Sequence, residues 1–293
     1  MTPIQLIASD LDGTLLNSRS EISETNLRAI QTLSERGILF VPCTGRTESE
    51  FPSVLKDSVH MRYAIQSNGA VILDRRTNTR VTDCLDREQA ARVFSLLDRY
   101  EVHVTIRQSG GCYFDETRTT QADYDFFNVH PLHVHVLERY AHTVPRFDEW
   151  MRSLDEIEVI SAFFRHEEEH AECKARMLAL GGCNVAVPVP GGLEIFSKSA
   201  CKGNALLRLA EMLGIERGAT VGVGDSDNDR TLIESAGLAL AVSNATDALK
   251  AICDRVICSN DDKVFDLDID EGLAMTKTLN PEEYEVMEAM SGV

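Results

Sequence analysis

The sequence predicts an α/β fold in which a mostly parallel sheet is interrupted by an inserted α+β module. Short apolar runs at residues 4–8, 38–43 and 63–66 predict buried strands, and a helical pattern lies between the first two. Such alternation of strands and helices predicts parallel pairing with right-handed crossovers. The same alternation returns after Gly192, which indicates that the residues in between belong to an insertion.

The first helix is predicted between Ser23 and Gly37. Leu27, Ile30 and Leu33 recur at helical spacing and define one apolar face. Ser23 is a favourable N-cap, and Gly37 is a favourable residue just past a helix C-terminus.

The inserted module mixes helices with a hairpin. The Ser109-Gly110-Gly111 sequence predicts the hairpin turn. Hairpins and helices combined in this way are typical of an α+β arrangement. The predicted elements are a helix at 86–100, a strand at 102–107, a returning strand at 112–114, a strand at 157–164 and a helix at 167–180.

A histidine-rich stretch lies within the module and contains His130, His133, His135 and His142. Valines alternate with two of these histidines, a period that predicts an exposed strand face. Histidine is also a common metal ligand, but the alternation favours the strand interpretation over a metal site.

The parallel-sheet pattern resumes after the module. Lys202 begins a predicted helix that Gly214 ends, and apolar runs at 219–223, 238–242 and 255–258 predict further strands. The sequence therefore predicts a discontinuous core at 1–82 and 192–293, with the inserted module at 83–191.

Composition limits the partners that the protein could bind. Hydrophobic residues make up 43% and charged residues 26% of the chain, which is ordinary for a globular protein. The formal net charge of −18 argues against binding to nucleic acid or to an anionic membrane. The first residues lack the basic segment of a signal peptide, and no apolar run approaches the ~20 residues needed to span a bilayer. We therefore expect a cytoplasmic location.

Polar segments follow four of the predicted core strands. Ligands of open parallel sheets bind beyond the carboxyl ends of the strands, so these segments should converge on one crevice. They are Asp10-Leu11-Asp12-Gly13-Thr14, Thr44-Gly45-Arg46, Ser67-Asn68-Gly69 and Gly224-Asp225-Ser226-Asp227-Asn228-Asp229.

These segments carry the groups that phosphoryl chemistry requires. Asp10, Asp225 and Asp229 offer hard oxygen ligands for Mg²⁺, and several carboxylates at one site repel each other unless a divalent cation neutralises them. Lys202, Thr44 and the backbone N–H groups around Gly13 and Gly45 are suited to phosphate oxygens. A carboxylate nucleophile splits phosphate-ester hydrolysis into two steps, and Asp12, two residues after Asp10, is placed to act as acid and base.

The same motifs resemble those of the haloacid dehalogenase (HAD) superfamily. They are DLDGT at 10–14, Thr44 in TGR, Lys202 in KG, and GDSDND at 224–229. Their order, the long insertion and SNGA at 67–70 are similar to the Cof-like phosphatases, and the likeness covers essentially the whole chain. It implies a Rossmann-like core with an inserted α/β cap that closes over the substrate.

The resemblance also implies a role for each motif residue. Asp10 would be the nucleophile and a Mg²⁺ ligand, Asp12 the general acid and base and a ligand through its carbonyl, and Asp225 a further ligand. Asp229 would bind the metal or orient a ligand. The phosphoryl group would be held by Thr44, Gly45, Lys202 and Asn228.

The implied reaction is hydrolysis of a small phosphorylated metabolite, such as a sugar phosphate. The presence of Asp12 favours phosphoryl chemistry, because the dehalogenases of the superfamily lack that second aspartate. Two alternatives stay open from the sequence. One is phosphoryl transfer between hydroxyls, as in the related phosphomannomutases, and the other is a catalytically silent protein that binds phosphorylated metabolites.

Overall fold

The computed structural model describes residues 3–261, so the last part of the predicted core segment 192–293 lies outside the described residues. The strands are β1 Leu6–Ser9, β2 Leu39–Pro42, β3 Tyr63–Gln66, β4 Val71–Asp74, β5 Thr79–Thr82, β6 Leu85–Asp86, β7 Val102–Gln108, β8 Gly111–Asp115, β9 Ala141–Val144, β10 Glu156–Ile157, β11 Val159–Phe164, β12 Cys183–Ala186, β13 Gly192–Ser197, β14 Thr220–Gly224, β15 Leu238–Ala241 and β16 Arg255–Val256. The helices are α1 Glu24–Glu35, α2 Ser53–Lys56, α3 Arg87–Leu97, α4 Gln121–Phe126, α5 Pro131–Tyr140, α6 Phe147–Ser153, α7 Glu167–Leu180, α8 Lys202–Leu213, α9 Arg230–Ser235 and α10 Asp247–Lys250.

A five-stranded parallel sheet forms the core that the sequence predicts. Its strand order is β16-β15-β14-β1-β2, and every neighbouring pair is parallel. The central strands β1 and β14 are almost fully buried, which explains why they read as continuous apolar runs. The α/β prediction with a Rossmann-like parallel core is confirmed.

The first crossover helix begins and ends where its sequence indicates. The Ser23 side chain accepts a hydrogen bond from the Asn26 N–H, so Ser23 is the N-cap of α1. Gly37 follows the helix with a φ of +77°, a backbone conformation that glycine adopts without a Cβ clash. This crossover places β2 beside β1 in the sheet.

The run at 63–66 forms a strand, but it does not continue the parallel sheet. Instead, β3 is the first strand of an antiparallel three-stranded sheet with order β3-β4-β5. An isolated parallel bridge joins Cys43 to Ile65. The tight Ser67–Gly69 turn sends the chain back beside β3, so β3 pairs antiparallel with β4 on one side and keeps this parallel bridge on the other.

Most of the inserted module belongs to a six-stranded sheet with order β12-β13-β11-β7-β8-β9, whose strand β13 lies just past the predicted end of the module at 191. Its pairings are antiparallel except for the parallel pair β8 and β9. The predicted hairpin joins β7 to β8, and Thr105 pairs with Phe114 across it. Buried residues of α3, α6 and α7 join those of the sheet in one hydrophobic cluster. The separate antiparallel sheet agrees with an α/β cap.

His133 and His135 of the histidine-rich stretch lie in helix α5, so the interpretation of their segment as an exposed strand was wrong, whereas His142 is an exposed residue of strand β9. Pro131 occupies the first turn of α5, and the His130 side chain accepts a hydrogen bond from the Leu132 N–H. Proline is favourable at that position because its missing N–H would have no helical partner. His133 and Leu137 then lie four residues apart on the buried face, a period that the alternating valines concealed.

A buried histidine should make the module sensitive to acid. Burial lowers the pKa of His103 to about 4, and the ring lies against Phe114, Tyr124 and Phe127. The unfolded chain binds the proton at a pKa of about 6.5, so protonation favours unfolding between these two values. We expect up to about 3 kcal/mol of stability to be present above pH 6.5 and lost as the pH falls towards 4.

Chemical denaturation of the wild type and His103→Leu at several pH values measures this contribution. The variant lacks the titrating ring, so its free energy of unfolding should fall less steeply between pH 6.5 and 4. The same pH slope in both proteins would show that His103 does not titrate as its burial requires.

By its contacts, the chain divides into two compact units. Of the described residues, the first unit holds those up to Pro42, Val59–Arg62 and those from Leu209 onward. The second holds Cys43–Ser58 and Tyr63–Arg208. The boundaries predicted from the sequence, with a core at 1–82 and 192–293 and a cap at 83–191, stay a proposal. Within residues 3–261, no helix has both the length and the apolar character to cross a membrane.

Candidate active site

Three carboxylates meet at the carboxyl end of the parallel sheet. Asp10 directly follows β1, and Asp225 directly follows the neighbouring strand β14. The Asp10 N–H donates to the Val223 carbonyl, and this hydrogen bond fixes the Asp10 backbone to the sheet. Carboxylate oxygens of Asp10, Asp225 and Asp229 all lie within 4.8 Å of one another. The structure therefore brings together three of the four predicted metal ligands.

The donor set fits a hard divalent cation. Asp10 and Asp229 are buried, with 4% and 0% of their surface exposed, and Asp225 is half-buried. Carboxylates so close together and so poorly solvated repel one another unless a cation neutralises them. Their oxygen ligands match the preference of Mg²⁺, which is commonly held by few carboxylates and keeps several waters.

Asp229 also holds the turn that carries Asp225. One of its carboxylate oxygens, Oδ2, accepts hydrogen bonds from the N–H groups of Asp225 and Ser226, at 3.0 and 3.1 Å. The chain must pass very close to this side chain, because a Cβ at Gly224 would lie 2.4 Å from the Asp229 Cβ. A glycine is therefore required before Asp225.

The loop after β1 packs directly on the Asp225 carboxylate. The Thr14 hydroxyl donates to Asp225 Oδ1 at 2.9 Å. Gly13 has a φ of +80°, and a Cβ there would lie 2.7 Å from Asp225 Oδ2. The DLDGT motif thus needs its glycine for two reasons, a left-handed backbone and a close approach to the acidic cluster.

Two asparagines support the same loop from later in the chain. Asn244 Nδ2 donates to the Gly13 carbonyl at 2.8 Å, and Asn244 Oδ1 accepts from the Asn260 N–H at 2.9 Å. Asn260 Nδ2 in turn donates to the Leu16 carbonyl at 3.0 Å. In the sequence, the Ser-Asn-Ala segment at 243–245 and the Ser-Asn-Asp segment at 259–261 resemble late segments of the family, and this likeness predicts that Asn244 and Asn260 support the site without binding the metal.

Two predicted residues of the first unit lie outside the acidic cluster. The Asp12 side chain is exposed and is not one of the three clustered carboxylates. Asn228 is also exposed, and its side-chain oxygen accepts a hydrogen bond from the Ser226 hydroxyl at 2.8 Å. The roles of Asp12 as acid and base and of Asn228 as a phosphate ligand stay predictions.

The remaining predicted groups belong to the second unit. Thr44 is 1% exposed, its N–H donates to the Ile65 carbonyl, and its hydroxyl accepts from the Arg46 N–H at 3.2 Å. Lys202 is also 1% exposed and begins α8. A buried ammonium at the start of a helix is unfavourable for the helix dipole, which argues for a functional reason for this lysine.

The second unit also contains a buried group of charged residues that the sequence did not predict. Arg107 on β7 binds Glu50 through Nε and Nη2, and it binds Glu194 on β13 through Nη1 at 2.6 Å. Burial disfavours the charge on Arg107, but Glu50 and Glu194 outweigh this effect and raise its pKa above the ordinary value. Asn68 Nδ2 also donates to Glu194, at 2.7 Å. Only the SNGA segment around Asn68 gave a sequence signal for this group.

Comparison with known proteins agrees with the geometry. The family model described as haloacid dehalogenase-like hydrolase matches residues 7–265. The phosphatase YwpJ of Bacillus subtilis is 28% identical to this chain over 283 residues, which cover 88% of this chain and 96% of the relative. A solved haloacid dehalogenase-like hydrolase from B. subtilis superposes with a TM-score of 0.73 at 27% identity, covering 88% of this chain and 96% of that one.

A further relative from B. subtilis is named 5-amino-6-(5-phospho-D-ribitylamino)uracil phosphatase YwtE. It is 26% identical over 298 residues, which cover 92% of this chain and 99% of the relative. The matches cover most of each protein, and the family-model match at residues 7–265 includes the three residues of the acidic cluster. The chain therefore belongs to the haloacid dehalogenase-like hydrolases, and it is an enzyme of the phosphatase class.

Proposed function

We propose that the protein is a magnesium-dependent phosphohydrolase that cleaves monoesters through an aspartyl-phosphate on Asp10. One observation carries the proposal most directly. Asp10 is buried directly after β1, and its carboxylate lies within 4.8 Å of the carboxylate oxygens of Asp225 and Asp229. This arrangement supports a nucleophile that also contacts the cation on which the phosphate would be held.

The metal would be held by Asp10, Asp225 and Asp229, together with the Asp12 carbonyl that the family resemblance implies. Bound Mg²⁺ would offset the repulsion among the carboxylates and polarise the phosphoryl oxygens. With that charge compensated, the Asp10 carboxylate could approach a phosphate dianion. Nothing else in the proposed reaction is assigned to the metal.

The chain's own residues would carry both displacements. In the first, an Asp10 carboxylate oxygen forms a bond to phosphorus while the ester P–O bond breaks, and Asp12 gives its proton to the leaving oxygen. In the second, Asp12 takes a proton from water, the water oxygen bonds to phosphorus, and the Asp10–phosphorus bond breaks. Inorganic phosphate leaves and Asp10 is restored. The exposed position of Asp12 is compatible with proton exchange with water.

We assign the remaining phosphate contacts from the family resemblance and from side-chain chemistry. The Lys202 ammonium would balance the negative charge of the phosphoryl group, and Thr44 with the N–H of Gly45 would donate to its oxygens. Asn228 would donate from its amide. Burial of Thr44 and Lys202 supports these roles, because a hydrogen bond or ion pair to the phosphate is stronger away from water.

The substrate class is proposed to be small phosphorylated metabolites, sugar phosphates among them. Relatives named as phosphatases of 5-amino-6-(5-phospho-D-ribitylamino)uracil support this class, because that compound is a small phosphorylated metabolite. The net charge of −18 repels a polyanion such as nucleic acid. It therefore favours a small substrate whose negative charge a cation offsets.

Magnesium binding can be measured apart from turnover. Mg²⁺ at about a hundredfold excess over its Kd should stabilise the wild type by about 2.7 kcal/mol and raise its Tm. Asp225→Asn removes one negative charge from the ligand set, so the same rise should need at least about tenfold more Mg²⁺. Asp247→Asn, an exposed position in the same unit, is the matched control and should behave as the wild type.

Turnover of p-nitrophenyl phosphate in the same titration tests the function. Activity should be absent after chelation and should return with the Mg²⁺ dependence that the Tm shows. Full activity in chelator would contradict the metal requirement. Tight binding of a sugar phosphate without any turnover would instead identify a catalytically silent protein.

A further inference from the structure

We infer that the Ser67–Gly69 loop and the buried charges behind it form a positioning device for the phosphate-binding residues. Asn68, Glu194 and Arg107 are assigned as its positioning residues. The inference rests on the proposed roles of Thr44, Gly45 and Lys202. It adds residues that do not touch the phosphate but fix the groups that would.

The loop contacts both proposed phosphate-binding segments of the second unit. The Asn68 N–H donates to the Thr44 carbonyl at 3.0 Å, and a Cβ on Gly45 would lie 3.0 Å from Asn68 Oδ1. On the other side, a Cβ on Gly69 would lie only 2.3 Å from the Cys201 carbonyl and 2.9 Å from the Lys202 nitrogen. A displacement of this loop would therefore move the Thr44 segment and the start of α8 together.

The loop holds an unfavourable backbone conformation. Ser67, Asn68 and Gly69 all have positive φ, at 53°, 57° and 97°. A non-glycine residue in the left-handed region is strained and persists only where its surroundings impose it. Two such residues in succession require strong anchoring, and strain of this kind is typical of functional sites.

Two buried carboxylates of the second unit supply that anchoring. Asn68 Nδ2 donates to Glu194 Oε2 at 2.7 Å, and the Ser67 hydroxyl donates to Glu158 Oε2 at 2.7 Å. The four residues are almost fully buried, between 0% and 6% exposed. Hydrogen bonds to a buried carboxylate are short and strong, so they can hold a strained loop in one conformation.

Arg107 completes a ring of hydrogen-bonded residues. It holds Glu194 on one side and Glu50 on the other, while Glu50 accepts from the Thr47 N–H at 2.6 Å. Thr47 lies three residues after Thr44, so the ring runs from the Thr44 segment through Glu50, Arg107 and Glu194 to Asn68, which bonds back to Thr44. Loss of one partner would leave a buried charge uncompensated, which is strongly destabilising locally.

A charge-conserving exchange tests the ring. In Asn68→Asp, an oxygen replaces the Nδ2 donor and faces Glu194, so two buried carboxylates repel and the loop should shift. Adding Glu194→Gln restores a hydrogen bond of opposite polarity, with Gln Nε2 donating to the Asp carboxylate and Gln Oε1 still accepting from Arg107. The double variant has the same net charge as the wild type.

The expected losses follow from misplacement of the phosphate ligands. Asn68→Asp should lower kcat for p-nitrophenyl phosphate by about 10²-fold with a smaller change in KM, because a 1 Å error in positioning acts mainly on the transition state. The double variant should recover at least tenfold of this loss. The control for the change of residue type is Asn128→Asp, since Asn128, an exposed residue, also has a positive φ of 50° and donates Nδ2 to two backbone carbonyls, those of Phe164 and Arg165. It should leave kcat unchanged.

Amide hydrogen exchange gives a readout that needs no catalysis. Exchange should rise in the peptides around Thr44–Arg46 and Cys201–Asn204 in Asn68→Asp and fall again in the double variant. If Asn68→Asp does not fold, Asn68→Gly tolerates the positive φ, removes only the side chain and should show the same rise. Wild-type kcat and exchange in the folded single variant, or no recovery in a folded double variant, would overturn the inference. An inactive wild type with the expected exchange pattern would refute the proposed function alone.

Discussion

Asp10→Asn is expected to abolish phosphate release while leaving the fold unchanged. The substitution keeps the shape of the side chain but removes the carboxylate oxygen that would bond to phosphorus. Loss of a nucleophile in a covalent mechanism costs up to about 10⁶-fold in kcat, so turnover should fall by at least about 10³-fold. The measurement is release of p-nitrophenol with Mg²⁺ at saturation.

The same variant should be no less stable than the wild type when metal is removed. Asp10 is one of three mutually repelling carboxylates, so the loss of its charge relieves repulsion in the metal-free protein. Asp247→Asn controls for the substitution itself and should keep full activity. Near-normal turnover by folded Asp10→Asn would show that another group, or water, attacks phosphorus.

Asp12→Ala should lower turnover by about 10²–10⁴-fold, the usual contribution of a general acid or base. The loss should depend on the leaving group. An alkyl phosphate needs a proton on the departing oxygen, whereas p-nitrophenolate leaves without one. We therefore expect a larger loss in the first chemical step for a sugar phosphate than for p-nitrophenyl phosphate.

Asp12 is exposed and lies outside the acidic cluster, so this variant should fold and bind Mg²⁺ as the wild type does. An equal Mg²⁺-dependent rise in Tm is the control. Single-turnover measurements with the two esters isolate the first step. Equal losses for both esters, or a loss below about tenfold for the sugar phosphate, would exclude Asp12 as the acid for the leaving group.

The acidic cluster could be predicted because two simple rules act together. Asp10 and Asp225 each follow a continuous apolar run, which indicates a buried parallel strand. The carboxyl ends of such strands meet at one edge, so residues that are 215 positions apart in number were expected side by side. Gly13 and Gly224 were needed in the same motifs because the backbone passes within contact distance of these carboxylates.

The errors arose where tertiary or capping interactions override local pattern. The valine alternation near His133 suggested a strand, but Pro131 and the His130 cap begin a helix there. The run at 63–66 forms the predicted strand and has one parallel bridge, but the turn at Ser67–Gly69 adds an antiparallel partner, β4, that the apolar pattern does not indicate.

The ring around Arg107 could not be predicted from local sequence. Glu50, Arg107 and Glu194 are single charged residues in separate segments, and on a strand such a residue usually faces solvent. Which charges are buried depends on how β7 and β13 pair with β11 between them, and that order is a property of the whole sheet. Their burial is visible only once the strands are assembled.

The stereochemical course at phosphorus tests the covalent mechanism most directly. A phosphorothioate monoester made chiral with two oxygen isotopes would be hydrolysed by the Mg²⁺-loaded enzyme in water that carries the third isotope, and the configuration of the released thiophosphate would be determined. Attack by Asp10 followed by attack of water gives two inversions, so the account predicts overall retention. Inversion would mean that water displaces the leaving group in one step, and it would contradict an aspartyl-phosphate on Asp10.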